Sequence, residues 1–293
     1  MWLAQDWTDF EVLDTADGEK LERWGEVTLR RPDPQVIWKN PARPDWWKTA
    51  DARYLRSSTG GGSWEFLHDI PARWTVSYKA LRFHIKTMGF KHTGLFPEQA
   101  VNWDRIGEII RQSGRQDVRV LNLFAYTGGA TVAAAYAGAQ EVVHVDAAKG
   151  MVSWAKENLQ LSGLEDRRVR FIVDDVMKFV KREQRRGNAY DIIIMDPPSY
   201  GRGPGGEIWK LENELYGLLE ESMRVLTPHP LAMFVNSYTT GLSPTVVANM
   251  MRLTVQKKFG GRVLAEEIGL PVTESGLILP CGCTGRWEME ERT

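Results

Sequence analysis

Ile192-Ile193-Ile194-Met195 is an apolar run without polar alternation, and strand-like runs also occupy Val118–Phe124, Glu141–Val145, Val169–Val173 and Leu231–Val235. Segments this short and apolar predict strands covered on both faces, as in parallel sheets flanked by helices. Helical spacing fills the intervals at Val132–Ala137, Lys149–Leu161, Trp209–Leu226 and Pro244–Phe259. The alternation predicts an α/β fold with a seven-stranded, mostly parallel sheet, ending in Val263–Ile268 and Leu277–Leu279 as an antiparallel pair. The first hundred residues read differently. Short runs such as Glu26–Arg30 and Arg73–Tyr78 are broken by Pro32, Pro34, Pro41, Pro44 and Gly60-Gly61-Gly62, which predicts irregular β structure. Two regions are therefore expected: a β-rich, Trp-rich accessory region over 1–85 and a main domain over 86–293.

The predicted strands carry polar signals at one end. Val118–Phe124 is followed by Ala125-Tyr126-Thr127-Gly128-Gly129-Ala130-Thr131, a glycine turn opening a helix, as where α/β proteins bring backbone close to a nucleotide. Asp146 closes the next strand eighteen residues after Gly128, placed to hold two ribose hydroxyls. The third strand ends in Asp174-Asp175-Val176, where a carboxylate can accept from an adenine amino group. The fourth ends in Asp196-Pro197-Pro198-Ser199-Tyr200. The two prolines fix φ and remove two N–H groups, which leaves a rigid rim of carboxylate and carbonyls with an aromatic ring beside it. Such a rim can accept from the amino group of a planar base while Tyr200 stacks on the ring, an arrangement that methyltransferases place beside S-adenosylmethionine. A nicotinamide dinucleotide would call for G-x-G-x-x-G, and the turn here lacks that spacing.

Together, VLNLFAYTGGATVAAAYAGAQEVVHVDAAKGMVSWAKENLQLSGL, FIVDDVMKFV and DIIIMDPPSYGRG resemble the class I S-adenosylmethionine-dependent methyltransferases, whose fold is Rossmann-like. The likeness is greatest to the bacterial branch that modifies bases of large-subunit (23S) ribosomal RNA. Lys91-His92-Thr93-Gly94-Leu95-Phe96-Pro97-Glu98-Gln99 is similar to that branch's lead-in segment. The resemblance spans roughly residues 80–240. It implies S-adenosyl-L-methionine as cofactor, with contacts at Phe96, Gln99, Phe124, Tyr126, Thr127, Gly128, Gly129, Asp146, Ala147, Asp174, Asp175, Val176 and Asp196. Asp196, Pro197, Pro198 and Tyr200 are the catalytic candidates.

One departure from that branch bears on mechanism. Members that make 5-methylcytosine need a cysteine thiolate to activate carbon 5. In the resembling enzymes it stands at the end of the fifth strand, here Val235-Asn236-Ser237-Tyr238, and no cysteine is present there. The two cysteines of the chain, Cys281 and Cys283, flank a glycine in the last predicted strand, and one such pair does not complete a zinc site. Direct transfer to a base nitrogen fits the residues present, and no metal is expected.

Composition narrows the partners. A net charge of −1 gives no global attraction to nucleic acid, so an RNA substrate has to be met by a local patch. Arg23–Arg56 carries eight Arg or Lys against four Asp or Glu, interleaved with Trp38, Trp46, Trp47 and Tyr54. That mixture suits phosphates and unpaired bases; the same tryptophans equally suit a satellite core. Arg30, Arg31, Arg43, Arg53, Lys91 and Arg202 are the substrate-binding candidates. Gly201-Arg202-Gly203-Pro204-Gly205-Gly206 reads as a gate over the site. Without a secretory pattern or a run of membrane-spanning length, the chain is expected in the cytoplasm. The function expected is methylation of a ribosomal RNA base nitrogen. A small-molecule or protein acceptor, a dinucleotide-dependent oxidoreductase and a non-catalytic RNA-binding module are the alternatives.

Overall fold

The computed structural model describes residues 1–57, 61–202, 208–239 and 241–290. They divide into two compact units, Met1–Val101 with Ile268–Cys281, and Asn102–Glu267 with the chain from Gly282 on. The boundary expected at 85/86 falls inside the first unit, and the lead-in segment belongs with that unit. The reason is local bonding: Lys86 N–H donates to the Thr93 carbonyl, Arg31 to the Lys91 carbonyl and the Trp7 indole to the Pro97 carbonyl.

In the first unit, β1 (Trp2–Leu3) pairs in parallel with Ile268 and Gly269. A five-stranded sheet follows in chain order: β2 (Phe10–Ala16), β3 (Glu19–Trp24), β4 (Val27–Pro32), β5 (Ala52–Arg56) and β6 (Gly62–Phe66). Its pairs are antiparallel except β4 with β5. Asp17 and Gly18 turn β2 into β3 with φ of 54° and 81°, the Asp-Gly chemistry of a tight hairpin. A separate hairpin joins β7 (Trp74–Tyr78) to β8 (Leu81–Ile85). The interior is aromatic and also charged. Arg31 grips the fully buried Glu22 carboxylate with two donors, at 2.6 and 2.9 Å, and Lys20 lies 3.2 Å from the same group. Burial alone would raise the Glu22 pKa, but Arg31 and Lys20 hold it at about 2.

The second unit is the doubly wound part. It begins within α1 (Ala100–Gln112) and continues as β9 (Arg119–Leu123), α2 (Gly129–Tyr136), β10 (Glu141–Asp146), α3 (Lys149–Leu161), β11 (Val169–Val173), α4 (Val176–Arg186) and β12 (Ile192–Met195). A short hairpin, β13 (Tyr200–Arg202) with β14 (Ile208–Lys210), leads into α5 (Leu211–Ser222) and β15 (Ala232–Ser237). α6 (Pro244–Met251) passes through a π turn over Arg252–Gln256 into α7 (Lys257–Phe259). The last strands, β16 (Arg262–Pro271) and β17 (Ile278–Glu288), have their far ends in the first unit. With β1 on its edge the sheet has eight strands, in the order β1-β16-β17-β15-β12-β9-β10-β11, one more than the seven expected, because the two-residue β1 carries no apolar run. β15, β12, β9, β10 and β11 are mutually parallel, and β17 runs antiparallel to β15, as the sequence predicts.

The strand order reverses between β9 and β12, because the chain steps outward to β10 and β11 and then returns to the other side of β9. Ligands of open α/β sheets bind above the carboxyl strand ends at such a switch point. Registers set Leu123 beside both Val145 and Met195, and Met195 beside Val235, so the residues that follow these strands share one rim. The glycines that open α2 are required by packing. A Cβ on Gly129 would lie 2.5 Å from the Trp103 ring, and one on Gly128, at φ 85°, would lie 2.9 Å from the Ala155 Cβ. Gly129→Ala is therefore expected to cost about 1–3 kcal/mol of stability in denaturant unfolding. An unchanged transition would mean that Trp103 yields freely.

Candidate functional site

The rim is organised around one carboxylate. Asp146 Oδ2 accepts from the Tyr126 N–H at 2.9 Å and Oδ1 from the Ala148 N–H at 2.8 Å, so a single side chain ties the loop after β9 to the loop after β10. The first of these loops needs tying. Phe124 and Tyr126 both sit in the left-handed region, at φ 54° and 49°, which costs a non-glycine residue about 1–3 kcal/mol each. Further restraint comes from Ala125 N–H to the Val145 carbonyl at 3.0 Å and from buried Asn158 to the Thr127 carbonyl at 2.9 Å. Each carboxylate oxygen has a second lone pair, so Asp146 keeps the capacity to accept from two ribose hydroxyls. Burial raises its pKa, and the two N–H donors oppose that rise.

Beneath the loop lies a buried polar chain that the sequence does not announce. Asn122 donates to Thr131 Oγ1 at 2.9 Å, and Thr131 Oγ1 is 3.0 Å from His144 Nδ1. Burial pushes the His144 pKa down to about 3, so its ring is neutral. Thr131 belongs to the glycine-turn motif, but its partners on β9 and β10 become visible only once those strands are aligned.

At the third strand end the acids are partly engaged. Asp175 caps α4 by accepting from the Lys178 N–H at 2.8 Å. Asp174 accepts from the Asp175 N–H at 2.9 Å and pairs with Arg182. Val176 points its side chain into the core, and Val173 exposes half its surface where a flat apolar ring can rest. Ala147 is exposed beside Asp146. Asp146, with lone pairs to spare, and the exposed Val173 that pairs with it on the neighbouring strand fit the nucleoside of S-adenosylmethionine.

On the β12 side, the Asp196 N–H donates to the Leu123 carbonyl at 3.3 Å. Pro197 is buried, whereas Pro198, Ser199 and Tyr200 are exposed, Tyr200 by 52%. The loop is braced by Thr239 Oγ1 donating to Ser199 Oγ at 2.7 Å and by the Trp209 indole donating to the Pro198 carbonyl at 2.6 Å. Sequence reasoning missed Trp209; its position at the return of a glycine-rich hairpin was the available signal. Of the expected gate, residues 203–207 and the Arg202 side chain lie outside the described residues.

The remaining candidates belong to the first unit. His92 packs edge-on between Phe90 and Phe96, and burial together with Arg31, Lys91 and Lys20 lowers its pKa to about 3. Phe96 precedes a single 3-10 turn, Pro97–Gln99, in which Gln99 is buried. Lys91 is half-buried, and burial lowers its pKa. The proposed phosphate-binding arginines all have acidic partners. Arg30 pairs with Glu19 at 2.5 Å, Arg43 with Glu274 at 3.3 Å while lying over Trp46, and Arg53 with Glu65. Arg31, 5% exposed and held by Glu22, is a core residue, which corrects the expectation that it grips phosphate at the surface. Four tryptophans of this unit donate their indoles internally: Trp38 to the Thr15 carbonyl, Trp47 to Asp14, Trp64 to the Met88 carbonyl and Trp74 to the Trp24 carbonyl. Trp47 lies in a small buried cluster with Ala16, Leu21 and Ala50, against which Trp46 packs. Among the described residues no group of three or more His, Cys, Asp or Glu side chains could hold a metal ion, and no helix is long and apolar enough to cross a membrane.

Comparison with known proteins gives the family and the fold. The family described as S-adenosylmethionine-dependent methyltransferase matches residues 44–222. A crystal structure of an S-adenosylmethionine-dependent methyltransferase from Agrobacterium tumefaciens is 36% identical, with a TM-score of 0.93 over 99% of this chain and 93% of that one. A Streptococcus mutans structure, 19% identical with a TM-score of 0.69 over 96% of this chain and 76% of its own, shares the fold. Among curated relatives, the ribosomal RNA large subunit methyltransferase K/L of Shewanella baltica is 32% identical over 164 residues, and that of Shewanella oneidensis 31% over 183. These matches cover 56% and 62% of this chain but only 22% and 24% of those proteins, so the chain spans about a quarter of their length or less.

Two measurements check the site. Asp146→Ala is expected to weaken S-adenosylhomocysteine binding by about 1.5–3 kcal/mol in titration calorimetry. Because hydroxyls donate to the ionised carboxylate, wild-type affinity is full at high pH. It falls as pH drops through the raised Asp146 pKa, above the ordinary aspartate range; Asp146→Asn should lose that dependence. Separately, the unfolded chain protonates His144 near pH 6.5 while the folded protein resists to about 3. This contribution to stability is full above 6.5 and is lost toward 3. The stability gap between wild type and His144→Asn should narrow over that window, and a constant gap would contradict a neutral buried ring.

Proposed function

The chain belongs to the S-adenosylmethionine-dependent methyltransferases, and on that footing we propose that its acceptor is a base nitrogen of ribosomal RNA, methylated in the cytoplasm without a covalent cysteine intermediate. The observation that carries this reading is the Asp-Pro-Pro rim at the switch point, on the same level as the strand end that holds Asp146. When bound, S-adenosylmethionine supplies an electrophilic methyl carbon on its sulfonium. An acceptor nitrogen would take that methyl group as its N–C bond forms and the S–C bond breaks, with sulfur keeping the electron pair. Asp196 and the Pro197 carbonyl accept from the acceptor amine and aim it, Tyr200 offers its exposed ring to the base, and the departing proton passes to Asp196 or to water. Orientation of this kind is worth about 7–11 kcal/mol.

Both thiols argue against the carbon-methylation route. Strand pairing puts Cys283 beside Ser237, one strand from the position where the resembling enzymes keep their nucleophile. Yet Cys283 is buried, its thiol faces the Leu242 carbonyl at 3.8 Å, and burial pushes its pKa to about 11. Burial raises Cys281 well above the usual thiol range as well. Neither is a thiolate at neutral pH. RNA is favoured over a small acceptor by the names of the relatives 31–32% identical to this chain. Arg43 and Arg53, the more exposed of the paired arginines, are the proposed phosphate contacts in the first unit.

Tritiated S-adenosylmethionine is expected to label ribosomal RNA from a strain lacking this gene, and nucleoside mass spectrometry to find the methyl group on a base nitrogen. The Cys281→Ser, Cys283→Ser double variant should retain near-normal rate. Trapping on 5-fluorocytosine RNA, or a methyl group on carbon 5, would overturn the nitrogen-transfer reading. Neutralising Arg43 and Arg53 should make the slope of log affinity against log salt shallower, by about 0.7 for each phosphate that no longer meets a cation.

A further inference from the structure

We infer that Trp209 is a positioning residue for methyl transfer, holding the Asp-Pro-Pro rim in register with the loop that carries the cofactor. Its indole makes two contacts of different kinds. The N–H donates to the Pro198 carbonyl at 2.6 Å, and the ring packs on Phe124 with centroids 5.1 Å apart and planes inclined by 54°. Phe124 is the first residue beyond β9, in the strained loop tied down by Asp146, and Pro198 is the third beyond β12. These loops flank the switch point, so one side chain touches both walls of the crevice.

The hairpin is built to deliver it there. β13 and β14 pair Gly201 with Trp209, and a Cβ on Gly201 would lie 3.5 Å from the Pro198 ring and 3.8 Å from the Trp209 Cβ. Two residues on, the Leu211 N–H donates to the Ser199 carbonyl at 3.1 Å and its side chain is fully buried. Trp209 is thus fixed on both sides, by strand pairing before it and by the core after it. Two consequences follow for the reaction. Engaging the Pro198 carbonyl leaves the Asp196 carboxylate and the Pro197 carbonyl to face the acceptor amine. Contact with Phe124 makes their placement depend on the loop held by Asp146. Transfer requires reacting atoms about 3–3.5 Å apart, and a misplacement of about 1 Å can cost on the order of 100-fold in rate.

Trp209→Phe keeps an aromatic ring against Phe124 and removes the donor to Pro198, which separates positioning from packing. In single turnover on undermethylated ribosomal RNA, this variant should react about 10- to 100-fold more slowly at saturation. Its RNA KM, S-adenosylhomocysteine affinity and thermal midpoint should stay close to wild type, the pattern of an interaction made at the transition state. A wild-type rate, or a fall matched by loss of folded protein, would overturn the inference. The rate readout rests on the RNA proposal, so a second measurement avoids it. In 5-fluorotryptophan-labelled protein, the 19F resonance missing from Trp209→Phe should shift when S-adenosylhomocysteine is added, and Phe124→Leu should abolish that shift. A resonance indifferent to the nucleoside would equally overturn the inference. If wild type methylates no RNA but the shift is present, the acceptor proposal fails and Trp209 keeps its role.

Discussion

The Asp146 carboxylate is the constraint on which the site depends. It stands at the end of β10 and accepts from one N–H on each neighbouring loop, which holds Phe124 and Tyr126 in conformations that their side chains disfavour. Its half-burial has two effects of opposite sense. Removal from water makes the charge harder to keep, and it also strengthens every hydrogen bond the charge accepts. On the proposed reading, a nucleoside hydroxyl would meet an acceptor that already spans both loops, with little left to order on binding.

The strands and their polar ends were legible in the sequence because buried parallel strands have no alternation and polar residues stop them abruptly. Ile192–Met195 followed by Asp-Pro-Pro is the clearest case. The same legibility failed wherever a residue's role depends on alignment. His144 reads as an interior residue of an apolar strand; only pairing β10 with β9 brings it toward Thr131 and Asn122. Gly128 and Gly129 read as room for a ligand, whereas the space they leave is taken by Ala155 and Trp103. Trp209 reads as the first residue of a helix, whereas the helix begins at Leu211 and Trp209 lies in the three-residue strand before it, too short to carry a period of its own.

The accessory region shows the limits of reading charge from composition. Its excess of Arg and Lys over Asp and Glu between Arg23 and Arg56 suggests a free basic surface. The acids that neutralise it come from outside that window: Glu19, Glu22, Glu65 and Glu274 pair with Arg30, Arg31, Arg53 and Arg43. Removing Glu22 or Arg31 alone would strand a buried charge, at a cost of about 3–5 kcal/mol. Trp38 and Trp47 likewise look interleaved for stacking on bases, but their indole donors end on the Thr15 carbonyl and the Asp14 carboxylate.

The first unit is also assembled from two stretches far apart in the chain, and this bears on the order of events during synthesis. Trp2 and Leu3 pair with Ile268 and Gly269, while the Thr273 and Glu274 N–H groups donate to the Val12 and Leu13 carbonyls. The 166 residues from Asn102 to Glu267 are made in between. At about 5–20 residues per second they delay completion of that unit by roughly 8–33 s. The earlier of those stretches therefore waits for the later one before the unit is finished. Throughout that interval the Val12 and Leu13 carbonyls lack the donors that Thr273 and Glu274 bring.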